Sequence, residues 1–293
     1  MKTSTSIIGI IVAMALSLII VLAGSHQGIE RAGIPLFAWI AVAIFAIQWV
    51  VFIPSWFAHS EHFFDLTGSV TYLVVVVACL SSVDSIEPRS LLIGAMVSIW
   101  ALRLGWFLST RVRAAGSDLR FDVMKHRFAW FLMTWTLQGL WILVTSGAAL
   151  AAMSRPGQAS IGPLVLLGTA LWVIGFAIEV AADRQKRRFR ANAENHGRFI
   201  TTGLWAYSRH PNYFGEILLW VGVAVAAMPA LSSWAYATLV SPLFVWALLT
   251  RISGIPLLET ASDRRWGGQE DYETYKAHTP TLMFRLGRFH RAG

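Results

Sequence analysis

The sequence is short of charge. Only 14% of its 293 residues are Asp, Glu, Lys or Arg, against 56% hydrophobic, where a soluble domain carries about 25% charged residues. That deficit excludes a soluble enzyme, a disordered chain and a coiled coil. Cysteine is nearly absent. Cys79, inside an apolar run, is the only one, which excludes an intramolecular disulfide framework and a Cys-based zinc site. The G-x-G-x-x-G, Walker A and H-E-x-x-H patterns are missing as well, so no Rossmann, P-loop or zincin site is signalled. His59 and His62 are three apart but find no third ligand, and no metal is expected. Ser and His are too scattered for a catalytic triad. No repeat or low-complexity stretch stands out.

Long apolar runs dominate instead. A bilayer core about 30 Å thick needs roughly 20 apolar residues per helical span. Eight such segments run over 6–23, 35–54, 66–82, 90–109, 129–152, 161–182, 213–228 and 231–250. Lipid leaves backbone groups no partner outside their own segment, so the spans are helical. The fold class is therefore all-α, a polytopic membrane bundle of seven or eight helices with a cofactor-binding rim. The count stays open because only Pro229 and Ala230 join the last two segments, as a tight hairpin or a kink in one helix. The run from Ile7 to Ala23 behind Lys2 is long for a signal peptide and reads as a retained first helix.

Positive charge sets the orientation. The formal net charge is +8, carried in loops. Lys2, the loops after the fourth and sixth segments and the C-terminal tail together hold twenty Lys and Arg; the opposite loops hold only Arg31, Arg89 and Arg155. Both termini and the basic regions then face the cytoplasm. Anionic lipid or a phosphorylated cofactor suits that charge better than nucleic acid. Polar groups gather on this one face and not at midplane, against a channel or transporter.

Five places hold ionisable groups where they are costly. Asp65 opens the third span. It reads equally as a helix cap or as a buried carboxyl able to donate to a substrate oxygen, with Tyr72 seven residues on along the same face. Trp100 and Arg103, near the end of the fourth span, frame a cavity, or Arg103 snorkels to head groups. Glu179, Asp183, Arg187 and Arg190 follow at spacings of four, four and three and form one stripe, either self-paired and solvated or ready for ribose and phosphate. Residues 197–216, GRFITTGLWAYSRHPNYFGE, place Arg198, Tyr207, His210, Asn212, Tyr213 and Glu216 at a turn into the seventh helix. Asn212 is the expected cap there, and the helix start is an anion site. In the tail, Arg251 ends the last span. Glu259, Arg264 and Arg265 follow on an interfacial helix with Tyr272 and Tyr275 beyond.

IEVAADRQKRRFR, GRFITTGLW and RHPNYFGEILLWVG resemble the C-terminal half of the steroid 5α-reductases, and the tail with LLE and DYETYK extends the likeness to roughly 179–285. A weaker likeness covers 65–122. RHPNYFGE alone is shared with sterol C14 reductases and isoprenylcysteine carboxyl methyltransferases. The resemblance implies reduction of a Δ4-3-ketosteroid by NADPH, with hydride to C5 and the 3-keto oxygen polarised by an acid. Asp65 falls on the family's acid. Phe64 falls on its Gln, and Trp100 on its Tyr, so those two roles are unmatched and Tyr72 is the substitute. For the cofactor, the resemblance carries over Arg103, Asp183, Arg190, Arg198, Asn212, Glu216 and Arg251; Glu179 stands where the family has Asn. Arg111, Arg113 and Arg120 join them for the phosphates.

The expectation is a single membrane domain over 1–293 in a bacterial inner membrane. Residues 1–127 would be the substrate side and 128–293 the NADPH side, facing the cytoplasm. The partners are membrane lipid and a steroid or sterol-like substrate, and the chain acts as a monomer. The alternatives are an S-adenosylmethionine-dependent carboxyl methyltransferase, a sterol C14 reductase-like enzyme, or a non-catalytic lipid-binding scaffold. A cofactor without phosphates would leave Arg111, Arg113, Arg190 and Arg198 unused.

Overall fold

The computed structural model describes residues 2–115, 121–155 and 160–285, with 107–115 by backbone alone. Its helices are α1 (Thr3–Ser25), α2 (Leu36–Phe57), α3 (Phe64–Ser81), α4 (Pro88–Ala115), α5 (Phe128–Met153), α6 (Pro163–Ala191), α7 (Pro211–Ala227), α8 (Ser241–Ala247), α9 (Ile255–Trp266) and α10 (Glu270–His278). A two-residue ribbon, β1 (Glu30–Arg31) and β2 (Ile34–Pro35), turns at Ala32 and Gly33, both at positive φ, which is the backbone a tight hairpin needs.

Among the described residues, seven helices are long and apolar enough to cross a membrane. The chain is a polytopic helical membrane bundle. The expected spans recur within a few residues, the fourth as α4, with one difference. The eighth is not one α-helix: it is 3-10 over Ser233–Val240, α-helical in α8 and π-helical over Leu248–Ile252. A 3-10 turn at Met228–Ala230 separates it from α7, so the last two segments are distinct elements and not one kinked helix.

By internal contacts the chain divides into two compact units, residues 1–167 with 223–241, and 168–222 with 242–293. In the first, α5 is the axis, touched by α1, α2, α3 and α4. Its run from Ile142 to Met153 is wholly buried, and Ala148, Ala149, Ala151 and Ala152 let neighbouring backbones come close. The loops alternate between the two ends of this unit. At one end Arg31 pairs with Asp84 at 2.7 Å, and Arg155 donates to the carbonyl of His26. At the other, Lys125 pairs with Glu61 at 3.1 Å.

In the second unit, α6 and α7 meet through glycines. A Cβ on Gly175 would lie 2.6 Å from the carbonyl of Gly215, and one on Gly222 would lie 2.5 Å from that of Gly168. Only glycine permits backbones this close, and close approach is what packs helices in lipid.

Candidate functional site

The second unit builds a pocket from the end of α6, the segment before α7, and α9 and α10. Gly203, at φ +64°, turns the chain where a Cβ would lie 2.5 Å from Gln185 Oε1. The same Gln185 oxygen accepts from the Leu204 amide at 2.9 Å, and Trp205 Nε1 donates to the Ala182 carbonyl at 3.1 Å. The segment is thereby fastened to α6, with the Lys186 ammonium 4.5 Å above the Trp205 ring. Residues 280–285 lie along 207–209: Arg209 N donates to Pro280 O at 2.9 Å, Arg285 N to Tyr207 O at 3.1 Å and Ser208 Oγ to Leu282 O at 2.9 Å. Ile255, Glu259, Ser262 and Trp266, spaced four, three and four, make the inner face of α9. Tyr275 closes the floor by donating its hydroxyl to Trp205 O at 2.7 Å.

The pocket encloses about 230 Å³, smaller than the roughly 300–1,000 Å³ that hold a whole drug-sized ligand, so it suits part of a larger molecule. Its walls are aromatic (Phe189, Phe199, Trp205, Trp266, Tyr272) and its charge is lopsided. Lys186, Arg190, Arg198, Arg209 and Arg265 line it against one carboxylate, Glu259. Arg190 and Arg265 are near enough to repel. Neither these two nor Arg198 forms an ion pair among the described residues. Uncompensated guanidiniums between aromatic rings are a donor set for phosphate and nucleobase together.

Glu259 is already engaged. One oxygen takes Arg209 Nη1 at 2.8 Å and the other His210 Nε2 at 2.7 Å. His210 is buried, its ring stacked on Tyr213 with centroids 5.7 Å apart. Burial pushes its pKa below the usual histidine value. The charges of Lys186 and Arg209 push the same way, and Glu259 opposes them. The imidazole is therefore neutral at pH 7, with Nε2–H donating to Glu259 and Nδ1 buried without a partner among the described residues. Burial also raises the Tyr275 and Tyr272 hydroxyls, keeping both as proton-bearing donors.

The first unit gathers the residues expected near the substrate. Tyr72 and Trp100 are both buried and meet edge to face, ring centroids 5.2 Å apart at 87°. Asp65 is half-buried in the first turn of α3. The helix begins at Phe64 and its cap position is Phe63, so Asp65 is not the capping residue that one reading made it. Gln138, from α5, donates to the Phe64 carbonyl at 3.0 Å, and Gln48 donates to Thr71 Oγ1 at 2.8 Å. Sequence reading singled out neither glutamine, because isolated polar residues in apolar helices show no pattern until the helices pack. Arg103 is half-buried on α4. Arg120 and the side chains of Arg111 and Arg113 lie outside the described residues.

Of the cofactor candidates, Arg190, Arg198, His210 and Glu259 meet in the pocket. Arg187 is exposed and does not line it; Lys186 does. The stripe that tracks a helix face runs four, three, four (Glu179, Asp183, Lys186, Arg190), since steps of four drift off the 3.6-residue period. Glu179 is buried where α6 meets Gly215. Asn212 lies inside α7, which starts at Pro211, and the His210 carbonyl accepts the first helical bond; His210 holds the cap position expected of Asn212. Tyr213 reaches the site as the ring beneath His210. Tyr207 contributes its carbonyl to Arg285. Glu216 is half-buried on α7, away from the pocket lining. Arg251 is exposed in the π-turn, 5.9 Å from the Trp246 ring centre. Lys186, Arg209 and Arg265 line the pocket as well, within basic stretches already legible in the sequence.

A family described as "Protein of unknown function (DUF1295)" matches residues 49–279. The chain is 37% identical over 75 residues to 3-oxo-5-alpha-steroid 4-dehydrogenase 1 of Bos taurus, covering 26% of this chain and 29% of that one. It is 37% identical over 90 residues to the Mus musculus protein of the same name, covering 30% and 33%. It is 25% identical over 156 residues to the probable O-methyltransferase ustE of Ustilaginoidea virens, covering 46% and 53%. The chain thus spans about a third of the steroid dehydrogenases it matches. No solved structure matches it.

Proposed function

The chain belongs to the DUF1295 family and is steroid 5α-reductase-like, and from that premise we propose that it is an NADPH-dependent reductase of a lipid enone, with a Δ4-3-ketosteroid or similar molecule as substrate. The observation that carries this reading is the pocket of the second unit, with five cationic side chains to one carboxylate among aromatic walls. NADPH carries a diphosphate and a 2′-phosphate, and such a donor set fits them. S-adenosylmethionine carries no phosphate, and its one carboxylate would leave most of Arg190, Arg198 and Arg265 without an anion to hold.

Bound NADPH supplies the hydride that C5 of the enone accepts. The residues of this chain do the rest. Arg190, Arg198 and Arg265 hold phosphate oxygens, and Tyr272 and Tyr275 keep hydroxyl donors in the wall. In the first unit, Asp65 and Tyr72 are the groups able to donate to the 3-keto oxygen as charge develops on it. Trp100 packs on Tyr72 and fixes its ring; an indole N–H can donate a hydrogen bond but does not act as an acid. The membrane would be a bacterial inner membrane, with the pocket facing the cytoplasm.

The test is NADPH oxidation by purified protein in detergent with progesterone or testosterone, with product analysis. A 5α-reduced steroid supports the reading. Absence of NADPH binding, together with binding of S-adenosylmethionine, would replace it with methyl transfer.

A further inference from the structure

His210 has a feature that the simple holding of phosphates does not use. Its ring is buried in the pocket wall, one nitrogen tied to Glu259 at 2.7 Å and the other, Nδ1, without a partner among the described residues. Every element packed on it brings a charge or a ring. Lys186 comes from α6, Arg209 from its own segment, and Glu259 from α9 with Lys276 acting on it from α10; Tyr213 of α7 stacks beneath.

We propose that His210 is a proton-linked specificity determinant of this pocket: filling it with a phosphorylated nucleotide draws a proton onto the imidazole, so that phosphate recognition strengthens as the pH falls. This rests on the cofactor reading of the pocket. In the empty pocket burial outweighs Glu259, with Lys186 and Arg209 pushing the same way as burial, and the ring is neutral. A bound phosphate neutralises the surrounding cations. Glu259 is then the nearest uncancelled charge, and it favours the imidazolium. The proton comes from water and joins Nδ1, and no other bond changes. The 2′-phosphate adds negative charge that NADH lacks, so the effect is larger for NADPH, and the preference for NADPH over NADH grows in acid.

The experiment is calorimetric titration of the full-length protein in detergent at pH 7, in two buffers of different protonation enthalpy. Wild type is expected to take up about half a proton with NADPH and fewer with NADH, and to bind NADPH about fourfold tighter at pH 6.5 than at pH 8. His210→Asn, which has no titratable group there, is expected to lose that uptake. The 2′-phosphate titrates near pH 6, and its own contribution remains in the variant and is subtracted. Equal uptake by wild type and His210→Asn would overturn the proposal. Where the variant does not fold, zero uptake by wild type with NADH would overturn it, because the diphosphate does not titrate near neutrality. If neither nucleotide binds, the cofactor reading fails by itself. The linkage is then read with inorganic sulfate: uptake that depends on His210 sustains it, and sulfate bound without uptake sinks it.

Discussion

Glu259 Oε1 lies 2.7 Å from His210 Nε2, two residues 49 apart in sequence. The other carboxylate oxygen holds Arg209, so one acid on α9 ties down both basic residues that lead into α7. The wall of a strongly cationic pocket thus depends on a single negative charge.

Glu259→Ala is expected to destabilise this unit. It strands the Arg209 guanidinium and a buried imidazole, and removing one partner of a buried pair costs about 3–5 kcal/mol. Glu259 and Arg209 are partly exposed, which lowers the expectation to about 2 kcal/mol. Thermal unfolding in detergent checks it; a Tm within a degree of wild type would show the pair to be incidental.

The depressed pKa of His210 gives stability a defined pH dependence. Its folded value lies below the 6.5 of the free side chain, so the unfolded chain binds the extra proton. This contribution is complete above about pH 6.5 and is lost as the pH falls through the lowered folded value. Denaturation midpoints between pH 5 and 8 are expected to fall on the acid side in wild type, and less so in His210→Asn.

Arg190→Gln and Arg198→Gln are each expected to weaken NADPH binding by roughly tenfold or more, the size of a lost charge-assisted hydrogen bond. The loss should shrink at high salt. Fluorescence titration reads it. Unchanged affinity in both variants would remove the phosphates from this pocket.

Gly175→Ala is expected to drive α6 and α7 apart, since its Cβ would lie 2.5 Å from the Leu219 amide nitrogen. Overpacking of this kind costs about 1–3 kcal/mol. Gly162→Ala, with nothing within 4 Å, serves as the neutral comparison in the same melting assay.

Tyr72→Phe removes one hydroxyl and keeps the edge-to-face contact with Trp100. If that hydroxyl assists the 3-keto oxygen, steroid-dependent NADPH oxidation drops about a hundredfold while Tm stays put. A rate within twofold of wild type would leave Asp65 as the donor, tested next by Asp65→Asn.

Much of the architecture was legible in the sequence because lipid imposes it: a backbone without water must be helical, and span lengths follow from bilayer thickness. The break at Met228–Ala230 was visible as Pro229 but undecided between hairpin and kink. The stripe on α6 is legible as a stripe, yet the step from Asp183 to Arg187 takes it one residue off the face, which Lys186 holds. His210 was marked as a ligand and Asn212 as the cap; the chain makes His210 both cap position and pocket wall, because Pro211 starts the helix one residue early.

The sequence by itself determined the helices, their membrane character and the excess of positive charge at the loops, since each follows from local composition and spacing. Only the tertiary structure decided which charges share a pocket. Arg190, Arg209 and Arg265 come from three separate segments, and Gln138 reaches the first turn of α3 across 74 residues. Coulomb forces and hydrogen bonds depend on distance in space, and distance in space is set by packing that no local pattern records.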